Sequence, residues 1–257
     1  MDEMLILFEF LNGRTYEMKG AKTVWAKQTR WGWDKRQATL ILYVFADGRS
    51  QIKPKLIFHA ATGAQIRRNE EALYDKRVTV EVNPTAYNNE ALLLRWIEEE
   101  LIKLDDWKDG GLLAIDAAEF HKMERILSSL WEHSIIPSLM PPGCTGLVQL
   151  FEVSINKPFK ELLCDYVDSY IEEKEHAGKE VWSVGDRRVM TTVCVGRAWD
   201  QFCQDSRHLV ITSFRNVGLS LYPNGSEDQE PSIKGLTTSK LQVRLRNGQE
   251  QRETHDT

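Results

Sequence analysis

The sequence predicts an α/β layered domain on a mixed sheet, and three observations predict it. Residues 35–60 hold two strand-like runs around a turn pair. From residue 88 onward the pattern alternates helix, strand, helix, strand, helix. Hydrophobic residues make up 42% of the 257, enough to bury a substantial core. Antiparallel strands followed by interleaved helices and strands fit one sheet with helices packed on it.

The elements follow in order. "KTVWAK" (22–27) is a short strand. "KRQATLILYVFADG" (35–48) is rich in β-branched and aromatic residues and ends in the turn pair Asp47-Gly48. "KPKLIFHA" (53–60) completes a β-hairpin with it. "RVTVEV" (77–82) alternates as a strand does. "NNEALLLRWIEEELIKL" (88–104) is helical: Leu93, Ile97, Leu101 and Leu104 share a face, and Asn88 or Asn89 can cap it. "GGLLAID" (110–116) is a buried strand. The helix after it is expected to bury Phe120, Met123, Leu127, Leu130 and Trp131. "IIPSLM" (135–140) is another strand, ended by Pro141-Pro142-Gly143. A long helix covers roughly 152–175, with Ile155, Phe159, Leu163, Tyr166 and Tyr170 on a stripe. Pro158 lies inside it, so the helix is either kinked or preceded by a separate turn over 152–156. Residues 1–175 form the main domain, 176–221 a helical extension, and 222–257 a polar tail expected to be disordered.

Several function classes are disfavoured. No segment approaches 18 consecutive apolar residues, so no transmembrane helix and no membrane partner are expected. The acidic start "MDEMLILFEF" is unlike a signal peptide. Cys144, Cys164, Cys194 and Cys203 have neither CxxC nor zinc spacing, which points to a reducing compartment. The net charge of −5 argues against a dedicated nucleic-acid binder but leaves room for a local basic face.

Three acids carry the candidate chemistry. Asp116 ends the buried strand and is followed by two alanines. Glu152 opens a helix after the next strand, and Asp2 stands at the start of the chain. Brought together, they would repel one another, and a hard divalent cation would relieve that repulsion. Two ions could then support phosphoryl displacement, with the alanines leaving room for metal and substrate. Each acid alone has a plainer reading: Asp116 a turn or cap, Glu152 a charge at a helix start, Asp2 a terminal residue. "KQTRWGWDKRQ" interleaves Lys27, Arg30, Lys35 and Arg36 with Trp31 and Trp33. It is either a phosphate- and base-binding loop or an ordinary hairpin loop.

The ordered set "WDKRQATLILYVFADG", "LLAIDAAEFHK", "SLMPPGCTGLVQLFEVSINKPFK" and "FRNVGLSLYPNGSED" resembles the catalytic region of pogo-like transposases. These belong to the DDE-superfamily endonucleases, with the Tigger, jerky and domesticated CENP-B groups. The resemblance implies an RNase H-like fold, with a mixed sheet flanked by helices. It implies two-metal cleavage and joining of DNA with Mg²⁺ or Mn²⁺, and a nuclear location. It makes Asp2, Asp116 and Glu152 the metal ligands in order. It makes His121 and Gln149 supports of those ligands or contacts to DNA, with a plain structural role for His121 the alternative. DNA is the implied partner, and a homodimer is left open.

The chain departs from the family pattern in four ways. Residues ahead of the first acid, a buried strand in the family, are expected to be missing. Gln149-Leu150-Phe151-Glu152 replaces the family's Gln-Pro-Leu-Asp, with a longer acid and a lost proline. No helix-turn-helix precedes the domain, so DNA binding is expected to be non-specific. "EMLILFEF" puts an apolar run after the first acid. These departures support an alternative: a catalytically inactive relic that binds DNA or protein.

Overall fold

A computed structural model describes residues 1–7, 37–60, 70–104, 110–141, 143–179, 181–222 and 224–233. The expected strand at 22–27 lies outside them.

Strand β1 (Asp2–Leu7) pairs antiparallel with β2 (Gln37–Leu42), which pairs antiparallel with β3 (Lys55–His59). β4 (Thr79–Asn83) joins β3 in parallel, so the sheet β1-β2-β3-β4 is mixed. β5 (Gly111–Ile115) and β6 (Ile135–Leu139) form a parallel pair. The two sheets meet where the Met1 nitrogen donates to the Ala114 carbonyl at 3.2 Å. Residues 3–7 of the apolar run after the first acid lie in β1, and its remainder is outside the described residues.

Successive strand residues face opposite sides, which divides the interior into two cores. Ala38, Leu40 and Leu42 of β2 pack with Phe159, Leu163, Val195, Trp199 and Phe202. Ile41 and Tyr43 point the other way, against Trp96, Ile97, Ile115 and Leu130. Helices therefore cover both sheet faces.

On the second face lies α1 (Glu90–Trp96), which continues as a wide π-type turn, Ile97–Leu101. Asn89 caps α1 by accepting from the Leu92 amide at 3.0 Å. α2 (Glu124–Glu132) packs beside it. The buried side of α2 differs in part from the expected one, which held Leu130 but not Ile126. Ile126 and Leu130 are fully buried, whereas Met123 is 45% and Trp131 56% exposed. Glu119–Lys122 form a 3₁₀ turn and Met123 is extended, so the helix starts later and its phase is reset.

On the first face, the short α3 (Thr145–Val148) leads to a second wide turn, Phe151–Ile155, and then α4 (Asn156–His176). Pro158 sits in the first turn of α4, where its missing N–H is tolerated. A separate turn, not a mid-helix kink, therefore accommodates the proline. α5 (Val184–Asp205) packs along α4, and α6 (Arg207–Asn216) follows. Residues 224–233, expected in a disordered tail, instead fold back on α6. Arg215 pairs with Glu227 at 2.8 Å and Glu230 at 2.6 Å. Residues 234–257 lie outside the described residues.

Phe159 joins α4 to α5, with its ring 5.7 Å from that of Trp199 and 6.3 Å from that of Phe202. Phe159→Ala should destabilise the domain by about 3–5 kcal/mol, measured by urea unfolding.

Candidate active site

β1 turns Asp2, Met4 and Ile6 toward the first core, because alternate strand residues share a face. Asp2 is consequently only 6% exposed. A carboxylate buried without partners would be strongly destabilising, so its hydrogen bonds decide whether this strand can form. Two carboxamides supply them. The Gln149 side-chain amide donates to Asp2 Oδ1. Asn156 Nδ2 donates to Asp2 Oδ2 at 3.2 Å. Gln149 and Asn156 are themselves buried, and they bracket the wide turn Phe151–Ile155.

The same Asn156 Nδ2 donates to Glu152 Oε1 at 3.0 Å. Residues four apart on a helix are neighbours on its surface, which brings Glu152 and Asn156 together. One NH₂ group therefore spans two carboxylates far apart in the sequence. Burial pushes the Asp2 carboxyl above its ordinary range; the Asn156 hydrogen bond pulls it down, and the Glu152 charge adds to the rise. Asn156 Oδ1 is buried and has no hydrogen-bond partner among the described residues.

Asp116 follows β5 and is held differently. Its Oδ1 accepts from the Ala118 amide at 3.1 Å and from His121 Nδ1 at 2.6 Å. Nδ1 also lies 3.1 Å from the Asp116 carbonyl. Both partners are acceptors, so Nδ1 carries the proton. His121 is 1% exposed, and its Nε2 has no partner among the described residues. The hydrogen bond from His121 holds the Asp116 carboxyl below its ordinary range, against the effect of burial. The bond to Ala118 is a local turn contact, so the turn reading of Asp116 also has a basis here.

On the other face of β1, Glu3 accepts from Asn88 Nδ2 at 2.7 Å. Burial raises its carboxyl, with Asp116 and Asp2 adding to the rise and His121 opposing it. Sequence reading missed Glu3, Asn88 and Asn156. Only the spacing of Asn156 from Glu152 hinted at its place.

The structure thus brings Asp2 and Glu152 to one shared amide and leaves Asp116 at the end of the neighbouring strand, bound to His121. Among the described residues, no group of three or more His, Cys, Asp or Glu side chains stands close enough to hold a metal ion. Glu152 is exposed and borders a groove shared with Asn156, Lys157, Lys160 and Cys164. A separate apolar cavity of about 300 Å³, lined by Tyr43, Phe45, Trp96, Leu113 and Phe151 among others, carries none of the three acids. The candidate DNA-binding residues Lys27, Arg30, Trp31, Trp33, Lys35 and Arg36 lie outside the described residues.

A family model described as DDE superfamily endonuclease matches residues 35–206. The match includes Asp116, Gln149, Glu152 and Asn156, while Asp2 lies ahead of it. A curated Homo sapiens protein, "Pogo transposable element with ZNF domain", is 23% identical over 125 residues. That stretch is 48% of this chain and 8% of the relative, so the chain corresponds to a small part of that protein's length. No solved structure matches. DDE domains have an RNase H-like fold, in keeping with the mixed sheet and its helix-covered faces. With the family model spanning well over half of its length, the chain belongs to the DDE superfamily endonucleases.

Proposed function

We propose that this chain is a transposase-derived endonuclease domain that hydrolyses and joins DNA phosphodiesters, with Asp2, Asp116 and Glu152 holding two Mg²⁺ or Mn²⁺ ions. The observation that carries this reading is the single amide of Asn156 shared by Asp2 and Glu152. It puts two of the three acids within reach of one small group. The donor set suits the ions: three carboxylates offer hard oxygens, and Asn156, whose amide nitrogen bonds two of them, has a buried oxygen with no partner among the described residues. Bound divalent ions supply Lewis-acid stabilisation of a phosphodiester and activate water.

The chain's own residues position the acids. Gln149 and Asn156 fix both oxygens of Asp2. His121 holds Asp116 through Oδ1. Its burial fits a supporting role better than a DNA contact, and the same holds for Gln149. Lys157 and Lys160, on the groove beside Glu152, would meet phosphates of a DNA strand entering there. Those contacts carry no base information, so binding is non-specific. A substrate of chromosomal DNA puts the protein in the nucleus. Among the described residues no helix is long and apolar enough to cross a membrane.

A second reading, an inactive relic, is favoured by one observation. Asp116 is turned onto His121, and no three acids among the described residues are gathered tightly. The two readings separate in the test tube. Nicking of supercoiled DNA with Mn²⁺ is expected from the wild-type chain and should drop to background in Asp116→Asn. Equal activity in both proteins would reject the assignment. Calorimetric titration should find about two Mn²⁺ ions per chain, and none binding would favour the relic.

The raised Asp2 carboxyl gives a further expectation. Its folded value lies above the unfolded one, so its contribution to stability is lost as pH climbs from the ordinary aspartate range through the raised value. In EDTA, the wild type should therefore lose melting temperature as pH climbs through the raised value, and Asp2→Asn, with no titrating group there, should lack that part of the pH dependence. Millimolar Mg²⁺ should raise the melting temperature of the wild type but not of Asp2→Asn.

A further inference from the structure

Asn156 is placed oddly for a residue that only supports an acid. Its NH₂ group already serves two carboxylates, Asp2 at 3.2 Å and Glu152 at 3.0 Å. Its carbonyl oxygen is buried, with the residue 5% exposed, and has no partner among the described residues. Burying an amide acceptor unsatisfied is destabilising. A side chain in a helix-bound site bears such a penalty more readily if the oxygen has another use. The two ends of the carboxamide are nearly the same size and differ in sign. Between two carboxylates the NH₂ end acts as a weak positive charge, while a cation in the same place would need the oxygen end instead. Rotation about the last side-chain bond exchanges the two, and that torsion is soft.

We propose that Asn156 is a metal ligand with two settings. Without an ion its NH₂ bridges Asp2 and Glu152 and keeps their repulsion in check. When a divalent cation enters, the amide turns over, the carboxylates bind the ion, and the Asn156 oxygen becomes a neutral ligand beside them. No covalent bond changes. The exchange lets the acid pair stay assembled in the metal-free protein, so the ion meets a preformed site. This inference rests on the proposed metal-dependent reading of the same acids.

The test compares wild type, Asn156→Ala and Asn156→Asp, each with EDTA and with Mn²⁺. Melting temperature and calorimetric Mn²⁺ affinity are read, and DNA cleavage is not needed. In EDTA both variants should melt below the wild type, and Asn156→Asp lowest, because it adds a third negative charge. With Mn²⁺ the order should change. Asn156→Ala should bind about tenfold or more weakly. Asn156→Asp, which restores an oxygen, should bind at least as tightly as the wild type. A merely structural asparagine would lose stability and affinity together in both variants, and that result overturns the proposal. Asn156→Ala binding Mn²⁺ as well as the wild type also overturns it, since the oxygen would then contribute nothing. If the wild type itself binds no Mn²⁺, the metal reading of the acids fails, which is distinguishable from failure of Asn156 alone. Should Asn156→Ala not fold, the comparison of Asn156→Asp with wild type still decides.

Discussion

The alternation of β1 is the constraint on which the site depends. A strand has two faces, and the face that carries Met4 and Ile6 into the core also carries Asp2. A one-residue slip in the pairing of β1 with β2 would exchange Asp2 for Glu3 on that face and move the apolar side chains out. The core therefore fixes the register, and the register fixes the acid. Because the acid is buried by that route, the fold must supply donors for it, and the turn before α4 does so with Gln149 and Asn156.

The three acids are held in unlike surroundings. Asp2 is buried beside another carboxylate and is pushed toward the neutral form. Asp116 receives a charge-compatible hydrogen bond from His121 and is pushed toward the charged form. Glu152 is exposed on the groove. Unlike environments for like groups are a common mark of functional sites, although structural ion pairs also produce them. Here one acid is set by burial, one by a ring nitrogen, and one by the Asn156 amide at the edge of the groove.

Much of this fold was legible in the sequence. The hairpin at 35–60 was readable because β-branched runs flank a turn, and the structure pairs β2 with β3 as expected. The cap of α1 was readable because Asn89 stands just ahead of a periodic apolar face. The buried side of α2 was readable only in part, because a 3₁₀ turn ahead of it changed the helical phase, and periodicity alone does not show where a phase begins. The folding back of residues 224–233 depends on Arg215, whose partners Glu227 and Glu230 look like tail charges in isolation. The acids stood out through their ordered motifs. The amides that hold them did not, because a contact from Asn156 to Asp2 crosses most of the domain and leaves no mark in local spacing.

The wide turn at Phe151–Ile155 has a consequence for how such a chain can drift. A π-type turn is equivalent to one residue inserted into an ordinary helix, and one residue is worth roughly 100° of rotation. Upstream of it stands Gln149; downstream run Asn156, Phe159 and Leu163, which must meet both the acids and the apolar interior. Substitutions within the turn leave that angular relation alone, whereas a single-codon deletion would rotate one set away from the other. Lineages should therefore keep the length of this stretch fixed even where an exposed position within it, such as Val153, changes.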